Sequence, residues 1–342
     1  MSAPVIPPDA LDPSIDEAVA PTPGKPQKEF AGKSPMQIAM TRLVRDKIAV
    51  VCLFVVLFFI LVAVFAGVIA DLFNVSLEAG SPSKDLDVLN GFMPKTGPPN
   101  HGFDINHPFG LAPQTANDNL AYWLYGCRTS LLVSGLSTLI ASFVGISTGL
   151  IAGYAGGMID RIVSFFVDFF LTIPFLLAAL TVAPIINDRF AGNPDRYATV
   201  QLWSLVAILS MFGWMGMARL IRGEVLSLRE REFIQSAQVV GMPTRRILIK
   251  ELLPNLAAPI VISISLMLPG FVAAEAGLAY LGIGITQGAS WGQTINKAAS
   301  IKYFQDYPLF LWEPLVGIVL LVLALNLLGD ALRDALDPKT RR

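Results

Sequence analysis

Charged residues are scarce in this chain. Asp, Glu, Lys and Arg make up 15% of its 342 residues, whereas hydrophobic residues make up 54%, and the mean hydropathy is +0.59. A soluble globular domain carries about a quarter charged residues. The composition therefore excludes an ordinary soluble protein and directs attention to the length of the apolar runs.

Cysteine and histidine are equally rare. Cys52 and Cys127 lie in or beside apolar runs and do not form a disulfide framework. His101 and His107 share one loop with Asp104, but without a fixed helical or cysteine-containing spacing they are weak evidence for a metal site. Two loop histidines in one segment assemble no catalytic triad or carboxylate pair. We therefore expect no catalytic residue, no metal and no cofactor bound by this chain.

The apolar runs have the length of membrane helices. They do not alternate in polarity as membrane β-strands do, and a helix of about 18–25 apolar residues crosses ~30 Å of hydrocarbon. The sequence thus predicts an all-α polytopic membrane protein with six transmembrane helices, at approximately 48–70, 131–153, 162–186, 200–221, 256–283 and 311–328.

The distribution of positive charge predicts the orientation of the chain. Most Lys and Arg residues precede the first span, follow the fourth span or lie at the end of the chain, and such an excess marks the cytoplasmic side. Both termini are therefore expected in the cytosol. The Pro-, Ala- and acid-rich start has no apolar signal-peptide core. The predicted units are a disordered cytosolic tail (1–33), an N-terminal segment with the first span (34–70), an extracytoplasmic loop (71–125), a membrane core (126–335) and a cytosolic tail (336–342).

Two features inside the predicted spans carry structural information. Gly145, Gly149 and Gly153 recur every four residues on one helix face, where another helix backbone can approach closely. Asp168 and Glu275 place carboxylates at membrane depth, where a charge normally faces a partner or a water-filled cavity. The sequence leaves two roles open for them: an internal hydrogen-bonded or ion-paired structure, or a pathway or gating function.

The chain turns polar between the fourth and fifth spans, from residue 222 to 250. We use the name polar insert for residues 229–255, which include most of this stretch and extend to the start of the fifth span. Phe233, Ala237 and Val240 are spaced as on a short amphipathic helix. Gly241 suits the left-handed position that ends a helix, and Pro243 is tolerated in the first turn of the next one. The pattern predicts two short helices that form a compact knob on the cytosolic face.

One stretch of the polar insert resembles the EAA loop of binding-protein-dependent ABC importer permeases. That family pattern reads Glu-Ala-Ala, three residues, Gly, nine residues, Ile, one residue and Leu-Pro. The chain keeps Ala237, Gly241, Leu253 and Pro254. It differs by having Gln235, Ser236 and Glu251 in place of Glu, Ala and Ile.

Further segments, spread over most of 34–339, are similar to the C-type permease of dipeptide/oligopeptide importers. They are SPMQ at 34–37, YG and RTSLLV within 125–133, AGYAGG at 152–157, ARLIR at 218–222, EVLSLRER at 224–231, SWG at 290–292 and NLLGDALRDALDP at 326–338.

The resemblance implies a division of labour among several chains in a bacterial cytoplasmic membrane. This chain and a homologous B-type permease would form the translocation path, and an extracytoplasmic binding protein would deliver a peptide. Two cytosolic ABC ATPases would bind ATP and Mg, so this chain would be non-catalytic; no nucleic acid is expected as a partner. The polar insert would be the coupling helix, with an apolar face of Phe233, Ile234 and Ala237. The coupling residues implied are Arg231, Phe233, Ile234, Gln235, Ser236, Ala237, Gly241 and Pro254.

Two alternatives remain at the level of the sequence. The same machinery could carry nickel chelates, glycosides or antibiotics, because relatives with similar inserts do so. A stand-alone secondary transporter would instead require an internal repeat and ion-coupled charges, and no obvious half-to-half repeat is found.

Overall fold

The computed structural model describes residues 35–78, 80–96, 104–190, 192, 194–285 and 288–336. The predicted tail 1–33 and residues 337–342 of the C-terminal tail lie outside the described residues. Helices dominate the described part, which confirms the predicted fold class. One pair of short antiparallel strands interrupts them, with Leu86 opposite Pro94.

The first helices form the N-terminal segment and the first span. Asp46 ends the surface helix α1 and caps the next helix, since its side chain accepts hydrogen bonds from the backbone N–H groups of Ile48 and Ala49. The elements up to the loop region are α1 (Pro35–Arg45), α2 (Lys47–Val64), α3 (Ala66–Leu72), α4 (Pro82–Asp85), β1 (Leu86–Asp87) and β2 (Met93–Pro94).

The long helices that follow form the rest of the membrane bundle, with the polar insert between α8 and α12. They and their connecting helices are α5 (Asn119–Ala155), α6 (Gly157–Thr172), α7 (Phe175–Phe190), α8 (Pro194–Arg229), α9 (Glu232–Val239), α10 (Thr244–Arg246), a π-helical turn (Ile247–Leu252), α11 (Leu253–Asn255), α12 (Ala257–Tyr280), α13 (Trp291–Ala298), α14 (Ile301–Asp306) and α15 (Leu309–Leu336).

Five of the described helices are long and apolar enough to cross a membrane, and the pair α6–α7 is bent by 85°. The prediction of one continuous third span at 162–186 is therefore wrong. Pro174 explains the break, because proline lacks an N–H and forces the residue before it out of the helical region; Ile173 is extended, with φ −79 and ψ 120. Helix α5 starts at Asn119, ahead of residue 126, where the sequence predicts the start of the membrane core.

The glycine face of α5 packs against α8. A Cβ atom built on Gly145 would lie 2.7 Å from the carbonyl oxygen of Trp214, and one on Gly149 would lie 2.7 Å from that of Ala218. Gly153 is similarly close to Val225. The glycine repeat therefore serves packing within the chain, because side chains there would keep the two backbones apart.

The end of the bundle opposite the polar insert carries a folded cap. We call residues 80–96, 104–118 and 288–308 the loop cap. It joins the bundle through aromatic contacts: the Trp123 and Trp291 rings lie 5.6 Å apart, and Phe59 meets Trp291 edge-on at 5.8 Å. The indole N–H of Trp291 donates to the carbonyl oxygen of Trp123 at 2.9 Å. This cluster therefore links α2, α5 and α13.

The α5–α8 contact generates a prediction that uses two glycines of the same helix. Gly149→Ala should destabilise the protein by about 1–3 kcal/mol, because the added methyl group overpacks the contact with α8. Gly135→Ala is the matched control, since nothing lies within 4 Å of a Cβ atom at Gly135 and the substitution gains helix propensity. The measurement is the thermal unfolding midpoint in detergent. Equal midpoints for the two variants would contradict the packing role.

Candidate functional site

The polar insert is a compact knob at the end of α8. The chain leaves α8 at Arg229, forms α9, and turns at Gly241, whose φ of +77° is the left-handed conformation that the sequence predicts. Pro243 then caps α10, again close to the predicted position. Two short helices separated by a glycine turn are thus observed, although the second continues into a π-helical turn that was not predicted.

The π-helical turn lies where proline disrupts α-helical hydrogen bonding. Pro254 cannot donate to the carbonyl oxygen of Lys250, four residues earlier. The side chain of the next residue, Asn255, donates to the carbonyl oxygen of Glu251 at 2.7 Å. The turn Ile247–Leu252 therefore joins the knob to the short helix α11, and α12 follows from Ala257.

Two residues predicted for the outer apolar face point inward. Ile234 is fully buried and Ala237 is nearly so; both pack in one cluster with Ile221, Val225 and residues of the π-helical turn. The prediction that they form part of an exposed docking face is therefore wrong. Helix α9 is amphipathic, but its buried side is formed by Ile234 and Ala237, whereas Phe233 and Val240 of the predicted series are exposed. The buried side attaches the knob to its own chain.

The outer side of the knob has a different apolar surface. Phe233 is exposed as predicted, and Val239 and Val240 expose 87% and 83% of their surface. The predicted residues Arg231, Gln235, Ser236, Gly241 and Pro254 are also exposed. We call Phe233, Val239 and Val240 the knob face. Sequence reasoning missed Val239 and Val240 as surface residues because their place at the end of α9 is set by the turn.

The knob is fixed to the neighbouring helix ends by polar contacts as well. The Arg229 guanidinium donates to the carbonyl oxygen of Tyr154 at 3.2 Å, and the Gln238 side chain donates to the Tyr154 hydroxyl at 3.4 Å. Since Tyr154 lies in the last turn of α5, a displacement of the knob would be transmitted to both α5 and α8.

Two ion pairs connect α6 with α8 near the knob. Arg222 is bidentate to the carboxylate of Asp160, and Arg219 donates to Asp168 at 2.6 Å. A cavity of about 330 Å³ lies beside them, and both Asp168 and Arg219 line it. The Asp160–Arg222 pair was not predicted, and a motif search for catalytic or metal residues gives no signal for it.

Asp168 and Arg219 lie in segments that the sequence predicts to span the membrane, and both side chains are exposed. Their side chains expose 65% and 59% of their surface. Because a charge in hydrocarbon is costly, such a pair faces a water-filled cavity or another protein surface. Of the two roles that the sequence left open for Asp168, the structure thus shows the ion pair and leaves this face of the helix accessible.

Glu275 behaves differently from Asp168. Its side chain is fully buried, and its two oxygens accept hydrogen bonds from the hydroxyls of Ser130, at 2.6 Å, and Ser290, at 3.0 Å. It takes part in no ion pair among the described residues. The carboxyl therefore joins α12 to α5 and to the start of α13, which is the internal hydrogen-bonded arrangement among the two roles that the sequence left open.

A second candidate cavity lies in the loop cap, with a volume of about 200 Å³. Lys297 lines it and places its ammonium 5.7 Å from the centre of the Tyr122 ring. Desolvation lowers the pKa of Lys297, and desolvation raises the pKa of Tyr303 on the same wall more than the hydrogen bond to Gln114 lowers it. The lining combines apolar surface with threonine, tyrosine, amide and lysine side chains, and it includes no carboxylate.

The histidine of the loop cap has a structural partner. The His107 Nδ1 lies 2.7 Å from the Asp118 carboxylate, and the other oxygen of Asp118 accepts from the backbone N–H of Ala121 at the start of α5. His101 lies outside the described residues. Among the described residues no three His, Cys, Asp or Glu side chains are grouped for a metal ion.

Two family models match the chain. The model described as binding-protein-dependent transport system inner membrane component matches residues 145–342. The model described as N-terminal TM domain of oligopeptide transport permease C matches residues 34–82. Together they include the polar insert and the first span.

Several curated proteins are similar along almost their whole length. The dipeptide transport system permease protein DppC of Alkalihalophilus pseudofirmus is 32% identical over 92% of this chain and 94% of its own. The oligopeptide transport system permease protein OppC of Haemophilus influenzae is 29% identical over 92% of each chain. A solved structure of the MetNI methionine ABC transporter in an inward-facing conformation gives a TM-score of 0.50 at 20% identity and covers 63% of this chain and 96% of that one, a likeness of fold.

The buried carboxyl generates a stability prediction. Glu275→Ala should lower the thermal unfolding midpoint strongly, because it leaves the hydroxyls of Ser130 and Ser290 without their partner, at about 1–3 kcal/mol for each. Glu275→Gln should retain most of the stability, since an amide of the same shape can bond to both hydroxyls. Unfolding midpoints for the two variants in detergent measure the difference, and an alanine variant as stable as the glutamine variant would contradict the assignment.

Proposed function

We propose that this chain, which belongs to the family of binding-protein-dependent transport system inner membrane components, is a permease subunit. The transporter of which it is part is an ATP-driven importer of dipeptides or oligopeptides. The chain forms half of the translocation path in a bacterial cytoplasmic membrane, with both termini in the cytosol. The peptide cargo is supported by the names of relatives that match over most of the chain.

The observation that carries the proposal is the construction of the knob. Its inner side is packed into the same cluster as α8 through Ile234 and Ala237, and its outer side presents the knob face. A rigid element that is attached to the bundle and still has apolar surface to offer is what an ATP-driven partner needs, since a ligand shifts a conformational equilibrium only through contacts that differ between the states.

The proposed partners follow from the two ends of the molecule. The knob face, with the exposed side chains of Arg231, Arg245 and Arg246 beside it, docks into one of two cytosolic ABC ATPases, which bind ATP and Mg. Charged rims around apolar centres are typical of protein interfaces. A homologous B-type permease completes the path, and the loop cap faces the peptide-binding protein. This chain itself performs no chemical step.

The Asp168–Arg219 pair is the proposed pathway element. It is exposed, lies in predicted membrane spans, and lines a cavity between α5, α6 and α8. A water-filled path for a zwitterionic peptide satisfies the demand of these charges for a polar environment. Because α8 also ends in the knob, movement of the knob would alter the position of Arg219 relative to Asp168.

The coupling role is tested by purification from the native membrane. The tagged chain should co-purify with a second permease and with ATPase subunits, and the preparation should hydrolyse ATP. Val239→Asp should reduce the recovered ATPase roughly tenfold or more, because the variant buries an unpaired carboxylate in an apolar contact. Membrane insertion should not change, since Val239 lies on the surface.

Val88→Asp in the loop cap is the matched control, because Val88 is also an exposed valine but lies at the opposite end. Variants at Ala237 are unsuitable, since this residue is buried and a larger side chain would disturb the knob itself. Recovery of the chain without ATPase activity would contradict the proposal and favour a stand-alone secondary transporter. A co-purifying binding protein with another ligand would favour the alternative cargoes.

The pathway role is tested by uptake of labelled peptide. Asp168→Asn should reduce uptake with assembly intact, because Arg219 then lacks its charged partner, and the double variant Asp168→Arg with Arg219→Asp should recover part of the loss. Asp188→Asn is the control, since Asp188 is an exposed carboxylate of α7. Uptake at the wild-type rate by the Asp168→Asn variant would refute the pathway role of the Asp168–Arg219 pair.

A further inference from the structure

An apolar groove runs between α2 and α15 on the outside of the bundle. It has a volume of about 400 Å³. The walls are Ile48, Val51 and Val55 on α2 and Leu320, Leu323 and Leu327 on α15. Since each set is spaced by three and four residues, each is one continuous face of its helix. A groove of this composition in a membrane helix pair is complementary to a hydrocarbon chain.

The groove runs along the first part of α2, the helix that corresponds to the predicted first membrane span. Its lining on α2 extends from Lys47, the first residue of the helix, to Val55, which is about 12 Å at 1.5 Å per residue. Half of the hydrocarbon thickness is ~15 Å. The groove therefore has the depth of one leaflet, as a bound acyl chain requires.

The mouth of the groove carries positive charge. Lys47 lines it, and Arg45 lies two residues earlier; both side chains are exposed. Neither takes part in an ion pair with any of the described residues. The nearest acidic residue in sequence, Asp46, is engaged by the N–H groups at the start of α2, and Asp334 lines the neighbouring cavity with Arg42.

The helix that precedes the groove has the composition of a membrane-surface helix. Met40 and Val44 of α1 are exposed apolar residues four positions apart, and Ile48 continues the row into α2. The basic residues Arg42 and Arg45 lie in its last turn. An amphipathic basic helix of this kind lies at the level of the lipid headgroups, which places Lys47 at the same level.

We propose that the α2–α15 groove is a binding site for an anionic phospholipid, with one acyl chain in the groove and the phosphate held by Lys47 and Arg45. This site requires only that the chain spans a membrane, so it is independent of the peptide cargo. An anionic headgroup is favoured over a zwitterionic one because it brings no cation of its own to compete at the two basic side chains.

Native mass spectrometry of the full chain, in the complex in which it is purified, tests the site with phosphatidylglycerol and phosphatidylcholine as probes. Wild-type protein should retain phosphatidylglycerol more tightly than phosphatidylcholine. Lys47→Gln should weaken phosphatidylglycerol binding roughly fivefold, whereas Lys84→Gln in the loop cap should leave it unchanged. Equal retention of the two lipids by the wild type, or equal effects of the two lysine variants, would overturn the proposal.

The groove itself is tested by filling it. Val51→Trp should displace the bound lipid, and Val319→Trp, an exposed valine of α15 outside the groove, should not. A photo-crosslinking amino acid at position 51 should yield an adduct with the mass of a phospholipid. An adduct with another protein subunit would instead show that the groove is a subunit interface and would refute the lipid site, whether or not the chain transports peptides.

Discussion

The close packing of α5 against α8 is the contact on which the functional parts of this protein depend. Three glycines on one face of α5 let the backbone of α8 approach until carbonyl oxygens and Cβ atoms of α8 fill the space that side chains would take. Without a hydrophobic driving force between helices in lipid, such small-residue contacts supply the dispersion energy that holds a bundle together. The ion pairs with α6 and the attachment of the knob both start from α8, so both depend on this contact.

Three carboxylates in the predicted membrane spans or at their ends each have a hydrogen-bonding or charged partner, but the kind of partner differs. Asp160 is paired with Arg222 in a partly buried contact, Asp168 with Arg219 in an exposed one, and Glu275 is satisfied by serine hydroxyls without a cation. Each arrangement meets the need of a polar group for a partner in a poorly solvating medium. The degree of exposure separates the open Asp168–Arg219 pair from the partly buried Asp160–Arg222 pair and the fully buried Glu275.

The polar insert shows how a short amphipathic helix can serve two surfaces. The apolar side of α9 packs the knob against α8 and α12, and the exposed apolar surface of the knob consists of Phe233 and the valines at the end of the helix. Rigid attachment on one side is the condition for transmitting a displacement arriving on the other side. The contacts of Arg229 and Gln238 with Tyr154 extend that attachment to α5.

The length and purity of the apolar runs determined the fold class, because only helices satisfy every backbone group within one segment in hydrocarbon. The glycine repeat and the turn at Gly241 were likewise readable, since each is a local property of the backbone. Only the tertiary structure decided which way Ile234 and Ala237 face, that Asp168 meets Arg219, and that Glu275 meets two serines. Those outcomes depend on the rotation of each helix about its axis and on residues distant in sequence, neither of which is set by apolar composition.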